Sequence, residues 1–117
     1  MAQKGRLSTR EFSRAFDEGQ VLGHRWFTLR LVLPSEAVPG ESTRWGIAVG
    51  KRLGGGAVAR NRLRRRVAAA VRGIEPECAV QVVVQLKREG IDVPAVALSQ
   101  AIGQRLRREL SRQCTRG

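Results

Sequence analysis

The chain has 117 residues, with 22 lysines and arginines against 10 acids and a formal net charge of +12. This length fits one domain with a modest core, and a hydrophobic content of 42% excludes a disordered chain. No apolar run approaches the roughly 20 residues that cross a bilayer, and the N-terminus lacks the apolar segment of a signal peptide. We therefore expect one cytoplasmic domain over residues 1–117, with flexible ends at about 1–6 and 113–117.

The first predicted element is a helix that begins near Ser8. Ser8 is a candidate N-cap, and Glu11 three residues later would complete a capping box. Phe12 and Phe16 share one face of this helix, and Gly19 is its expected end. Aromatic faces beside a basic groove can stack on unpaired bases. The two rings are therefore either core residues, which the pattern alone slightly favours, or part of a nucleic-acid site.

Three strands are predicted from alternating apolar residues. They cover about Arg25–Leu33, Arg44–Val49 and Ala79–Leu86. The segment Pro34–Thr43 contains two prolines and a glycine, which is typical of a hairpin loop.

Between the second and third strands lies a focused basic stretch. It contains no acid and eight basic residues: Lys51, Arg52, Arg60, Arg62, Arg64, Arg65, Arg66 and Arg72. A helix over about Ala57–Gly73, entered from a loop at Gly54–Gly56, would bury an apolar stripe and expose most of these arginines. The alternative is a charged helix face that is only solvated, but such a face normally mixes glutamate with arginine. A basic face without carboxylates attracts a polyanion, so the pattern favours a nucleic-acid binder.

A last helix completes the predicted order of elements. Asp92 would cap it, with Pro94 in its first turn. Apolar residues recur at every fourth position, at Leu98, Ile102, Leu106 and Leu110. The order is α-β-β-α-β-α, with one further short strand allowed. It predicts a single-domain α+β fold in which a central, mostly antiparallel sheet is backed by helices on one side.

Groups that could carry out catalysis are scarce. His24 is the only histidine, and at a strand start it is more often a surface residue than a base. The ten acids fall mostly at helix ends and in loops, where none cluster to hold a metal. Cys78 and Cys114 are far apart and lack a Cys or His at metal-ligand spacing, so we expect reduced thiols. We predict no catalytic residue, no metal site and no cofactor held by a protein motif.

The segment Ala57–Arg65 resembles the signature of the protein subunit of bacterial ribonuclease P. That signature is an Arg-Asn-Arg core followed by a hydrophobic residue and two basic ones. A basic pair, a short glycine-containing loop and Ala-Val precede it. Here Lys51-Arg52 supplies the basic pair, and Arg60 to Arg62 supply the core. The first helix, the strands and the last helix also resemble the family, so the similarity covers nearly the whole chain.

The resemblance implies that a large RNA is the catalyst and that the protein assists it in removing the 5′ leader of precursor tRNA. Magnesium is implied for the RNA–protein holoenzyme. The expected partners are ribonuclease P RNA and precursor tRNA, with no membrane and no protein partner required. The resemblance also implies a left-handed β-α-β crossover, against the usual right-handed rule.

The resemblance assigns two RNA-binding sites. The leader would lie in a cleft between the first helix and the sheet, at Phe12, Phe16 and Arg30. The catalytic RNA would contact the basic segment at Lys51, Arg52, Arg60, Asn61, Arg62, Arg64, Arg65 and Arg66.

Two positions depart from the family pattern. The family commonly has a basic residue where this chain has Ala68, and Arg66 is the candidate to supply that charge. The family often has an aromatic where this chain has Arg30, whose guanidinium could stack on a base or contact a phosphate. The alternative function is a basic ribosomal or other structural RNA-binding protein, which would have no effect on precursor tRNA cleavage.

Overall fold

The computed structural model describes residues 7–32, 43–53, 55–74 and 80–113. Short 3₁₀ turns occur at Lys51–Leu53 and Arg88–Gly90. The α+β fold class is confirmed. The further short strand that the prediction allowed is the first strand of the sheet. In chain order the elements are α1 (Thr9–Glu18), β1 (Gln20–Gly23), β2 (Phe27–Val32), β3 (Arg44–Ala48), α2 (Ala57–Arg72), β4 (Gln81–Leu86) and α3 (Ala95–Gln113).

The four strands form one sheet in the order β1-β2-β4-β3. Strands β1 and β2 are antiparallel, as are β2 and β4, whereas β3 and β4 are parallel. Since β4 lies between β2 and β3, the prediction of a hairpin at Pro34–Thr43 is wrong. Alternation of apolar residues shows which segments become strands, but it does not show which strands pair. Residues 33–42 of this connection lie outside the described residues.

Helix α2 joins β3 to its parallel neighbour β4. It begins at Ala57, as predicted, and Gly73 is its C-cap. Gly55 ahead of it has a φ of +73°, and a Cβ there would lie 2.7 Å from the Cβ of Ala59. The turn into the helix therefore requires glycine at this position. The left-handed sense of the crossover stays a prediction.

One face of the sheet carries the main core. The register places the alternate apolar residues of β2 opposite those of β4 on this face. The predicted apolar stripes of both long helices are buried against them. The helix residues in this core include Leu63, Val67, Ala70, Val71, Leu98, Ile102, Leu106 and Leu110.

Helix α1 lies on the opposite face. Its Glu11 accepts hydrogen bonds from Arg44 and Gln81. These two residues are paired across β3 and β4, and they alternate with the core positions, so their side chains lie on the face away from the main core. Ala15 and Val83 are both fully buried outside the main core cluster, so α1 covers β4 on this side. The expectation of helices on one side only is therefore wrong for α1, because this second face also contains an apolar position that must be covered.

The ends of the predicted elements agree closely with the structure. Helix α3 begins at Ala95, and the carbonyl of Pro94 accepts a hydrogen bond from the amide of Leu98 at 3.0 Å. Pro94 thus lies just before the first turn, and Asp92 does not occupy the cap position that we predicted.

Within the described ranges no helix is long and apolar enough to cross a membrane. Residues 1–6, 114–117 and both cysteines lie outside those ranges.

Candidate nucleic-acid interface

One carboxylate, that of Glu11, both caps helix α1 and fixes the helix to the sheet. Glu11 Oε1 accepts the amide of Ser8 at 2.9 Å, and the Ser8 hydroxyl accepts the amide of Glu11 at 3.2 Å. This confirms the predicted capping box. The other oxygen, Oε2, accepts from the Arg44 guanidinium at 2.8 Å and from the Gln81 amide at 3.3 Å. The start of α1 is therefore held against both β3 and β4.

A glycine on β3 lets the first aromatic ring approach the sheet. A Cβ added at Gly46 would lie 2.6 Å from Phe12 Cδ2 and 3.0 Å from Phe12 Cε2. Any larger residue would push the ring and α1 away from the strand. The side chain of Phe12 is half-buried in this position.

The three predicted cleft residues lie together between α1 and the sheet. The rings of Phe12 and Phe16 are nearly parallel, at 16°, with centroids 6.1 Å apart. The guanidinium carbon of Arg30 lies 4.3 Å from the centroid of the Phe16 ring. All three side chains are half-buried, and neither ring belongs to the main core. The two rings and the planar cation therefore form a partly exposed surface, in which Arg30 lies over one face of the Phe16 ring.

Arg30 is oriented by groups from two elements. It donates to the Phe16 carbonyl at 3.0 Å and to the Gln85 side-chain oxygen at 3.4 Å. Its Nε is buried and has no partner in the described part of the chain. Gln85 was not among our predicted site residues. The alternation of residues in β4 predicted that Gln85 lies on the second face. Its position near Arg30 depends on the pairing of β4 with β2, in which Gln85 lies opposite Thr28.

The arginines of α2 form the second candidate surface. The side chains of Arg62, Arg64 and Arg65 are exposed, and Arg60 is half-buried. The Arg64 guanidinium donates to the Asn61 side chain at 3.1 Å, which lines up these two residues on the helix surface. No carboxylate pairs with this row among the described ion pairs, so its positive charge is not neutralised.

Arg66 differs from the other arginines of the helix. Its guanidinium donates to the carbonyl of Ile91, in the segment that leads into α3. The side chain is half-buried and links two parts of the fold, as does the nearby packing of α2 on α3. That Arg66 contacts RNA and supplies the charge missing at Ala68 stays a prediction.

The predicted basic pair extends the α2 surface beyond the helix. Lys51 and Arg52 are exposed in the 3₁₀ turn after β3, and the carbonyl of Arg52 accepts from the Arg88 guanidinium at 3.2 Å. Helix α2 packs on one face of the sheet and α1 on the other. The basic surface and the aromatic cleft are therefore on opposite sides of the molecule.

His24 is held in its neutral form by its surroundings. Its Nδ1 accepts the amide of Trp26 at 3.0 Å, and its ring stacks on Phe27 at a centroid distance of 4.2 Å. Burial lowers the pKa of His24 below its usual 6.5, and the charges of Arg105, Lys87 and Arg25 lower it further. No group of three His, Cys, Asp or Glu residues that could hold a metal occurs in the described ranges.

Comparisons with known proteins relate the chain to one family. A family model described as Ribonuclease P matches residues 1–110. The chain is 41% identical over 78 residues to the ribonuclease P protein component of Lactobacillus gasseri, covering 66% of this chain and 62% of that relative. The match therefore spans less than two thirds of the relative's length.

Two solved structures share the fold. The ribonuclease P protein from Thermotoga maritima has a TM-score of 0.70 at 24% identity, covering 88% of this chain and 96% of that one. The ribonuclease P protein from Staphylococcus aureus has a TM-score of 0.65 at 20% identity, with coverages of 92% and 96%.

Proposed function

We propose that this chain, which belongs to the ribonuclease P family, is the protein subunit of a ribonucleoprotein that removes the 5′ leader from precursor tRNA in the cytoplasm. The observation that supports the proposal best is the placement of two unlike surfaces on opposite faces of one sheet. A protein that only needed to bind one RNA would not need an aromatic cleft on the side away from its basic helix.

In this proposal the basic surface binds the catalytic RNA. The exposed arginines of α2 contact phosphates, and binding is driven by the release of counterions from the RNA. Guanidinium groups suit this role because they stay charged and can donate two hydrogen bonds to one phosphate. The contacting residues are Lys51, Arg52, Arg60, Asn61, Arg62, Arg64, Arg65 and Arg66.

The cleft on the other face holds the single-stranded leader. Unpaired bases stack on the half-buried rings of Phe12 and Phe16 without a requirement for sequence. Arg30 adds a planar cation that can stack on a base or neutralise a phosphate. Mature tRNA lacks the leader, so the cleft lets the complex distinguish substrate from product.

The RNA supplies the chemistry of the cleavage. In the described chain Glu11 is engaged with Arg44, and the acids do not cluster. In this proposal magnesium belongs to the RNA–protein assembly, and no protein motif is assigned to it. The protein contributes affinity and position, which lower the magnesium concentration that the RNA needs.

Reconstitution tests the proposal. The protein is mixed with a bacterial ribonuclease P RNA and precursor tRNA at a magnesium concentration at which the RNA alone is slow. We expect leader removal that neither component supports by itself. A protein that binds the RNA but does not stimulate cleavage would instead fit the alternative of a structural RNA-binding protein.

A further inference from the structure

The end of the sheet carries a second group of cations outside both surfaces described above. Strand β2 begins where β1 and β4 end, and β3 ends beside β4, so four chain segments meet there. Four basic residues from β1–β2, β4 and α3 lie at this end: Arg25, Lys87, Arg88 and Arg105. We call this group the sheet-end band.

Three of these cations are anchored on backbone carbonyls. Lys87 Nζ donates to the carbonyl of His24 at 3.0 Å, and Arg105 Nε donates to that of Gly23 at 3.3 Å. Arg88 donates to the carbonyl of Arg52 at 3.2 Å. A carbonyl fixes the position of a charged group without cancelling its charge. The band is thus pre-oriented and positive, which reduces the entropy lost when it meets an anion.

No ion pair among the described residues neutralises the band. The nearby acids, Glu89 and Asp92, are both exposed. They are outnumbered by the four cations of the band together with the neighbouring Lys51 and Arg52. The ion pairs found among the described residues, Arg14–Glu18 and Arg44–Glu11, are elsewhere. The lowered pKa of His24, to which Arg105, Lys87 and Arg25 contribute, agrees with a positive local potential.

The aromatic residues at this end contact one another. His24 stacks on Phe27 with an interplanar angle of 3°, and Trp26 meets the His24 ring edge-on with centroids 5.3 Å apart. Both side chains are half-buried. The band itself consists of four cations, whereas the cleft contains two aromatic rings, and a surface of cations suits the phosphates of a double-helical RNA.

We propose that the sheet-end band binds the phosphate backbone of a double-helical segment of the catalytic RNA, as a continuation of the α2 surface. The hydrogen bond from Arg88 to Arg52 makes the two surfaces continuous, which favours the RNA that α2 binds over the tRNA body. The inference rests on the proposed function, since it extends that contact around the end of the sheet.

The test is the salt dependence of binding to ribonuclease P RNA, measured for the full chain and for Lys87→Gln combined with Arg88→Gln. Loss of two phosphate contacts should flatten the log–log slope by about 1.5 units. Arg25→Gln, at an exposed residue with no hydrogen bond in the described ranges, should flatten it by somewhat less than one unit. Arg107→Gln is the matched control, because Arg107 is an exposed arginine on α3 outside the band. This substitution should leave the log–log slope unchanged.

Two results would overturn the inference. One is a slope for the band variants equal to that of the Arg107 control. The other is normal binding to the catalytic RNA with weaker binding of mature tRNA to the holoenzyme, which would assign the band to the tRNA body. Either result leaves the proposed function intact if the variants still stimulate cleavage at low magnesium. Loss of stimulation by the wild-type chain would contradict the proposed function itself.

Discussion

Arg30 gives the cleft a charge that is already oriented before any ligand binds. Its guanidinium covers the Phe16 ring and donates to the carbonyl of the same residue. An aromatic residue at this position would add a third stacking surface but no charge. The guanidinium is planar and weakly hydrated, so it can replace the stacking while also attracting a phosphate. In the proposed function the leader is thus held by two rings and one cation.

His24 makes stability depend on pH. Its pKa is lowered by burial and by three nearby cations, and its Nδ1 must stay unprotonated to accept the Trp26 amide. The unfolded chain therefore takes up a proton near pH 6.5 more readily than the folded one. The contribution of His24 to stability is present above pH 6.5 and is lost as the pH falls through the folded pKa.

Urea unfolding of the wild type and of His24→Gln from about pH 7.5 to about pH 5 checks this expectation. The stability difference between the two proteins should shift in favour of the variant as the pH falls. A difference that is constant over this range would show that His24 does not titrate differently in the folded state.

Local interactions made the individual elements predictable. The capping box of Ser8 and Glu11 involves residues three apart, and the stripe of α2 repeats within one helix. The pairing of strands depends on contacts distant in sequence. The insertion of β4 between β2 and β3 and the placement of α1 on the second face follow from such contacts. The prediction from local patterns was therefore wrong at two points: it joined β2 to β3 as a hairpin, and it placed all helices on one side of the sheet.

The exposed arginines of α2 should contribute to RNA binding and little to folding. Arg65 is exposed on the side away from the buried stripe. Arg65→Ala should therefore change the free energy of unfolding by less than about 0.5 kcal/mol. It should also weaken binding to ribonuclease P RNA and flatten the salt slope by about 0.7 to 0.9 units.

Arg107→Ala is the control for the loss of one positive charge. It removes an exposed arginine from α3 and should affect binding less, because general electrostatic attraction is screened over a Debye length of about 10 Å. Equal effects of the two substitutions would mean that only net charge matters and that α2 is not a specific contact surface.

The two surfaces of the whole molecule differ in how far the sequence reveals them. The basic surface comes from one continuous segment, so its residues could be identified before the structure. The cleft combines α1 with β2 and β4, and the partners that orient it, such as Gln85 and Arg44, come from distant parts of the chain. The helix pattern singled out Phe12 and Phe16, and the family resemblance assigned both of them to the cleft together with Arg30. The hydrogen bonds that position them became visible only in the fold.

The separation of the two surfaces makes the most direct test possible. The affinities of reconstituted holoenzyme for precursor and mature tRNA are measured with wild-type protein and with Phe16→Ala, alongside the affinity of each protein for the RNA. We expect Phe16→Ala to reduce precursor affinity by about 1 kcal/mol, or roughly fivefold. Mature tRNA and catalytic RNA should bind as before. Because the ring is half-buried, the substitution should lower the free energy of unfolding by less than the about 3–5 kcal/mol lost when a core phenylalanine is truncated. A destabilised variant with an unchanged ratio of precursor to mature affinity would contradict the assignment of this cleft to the leader.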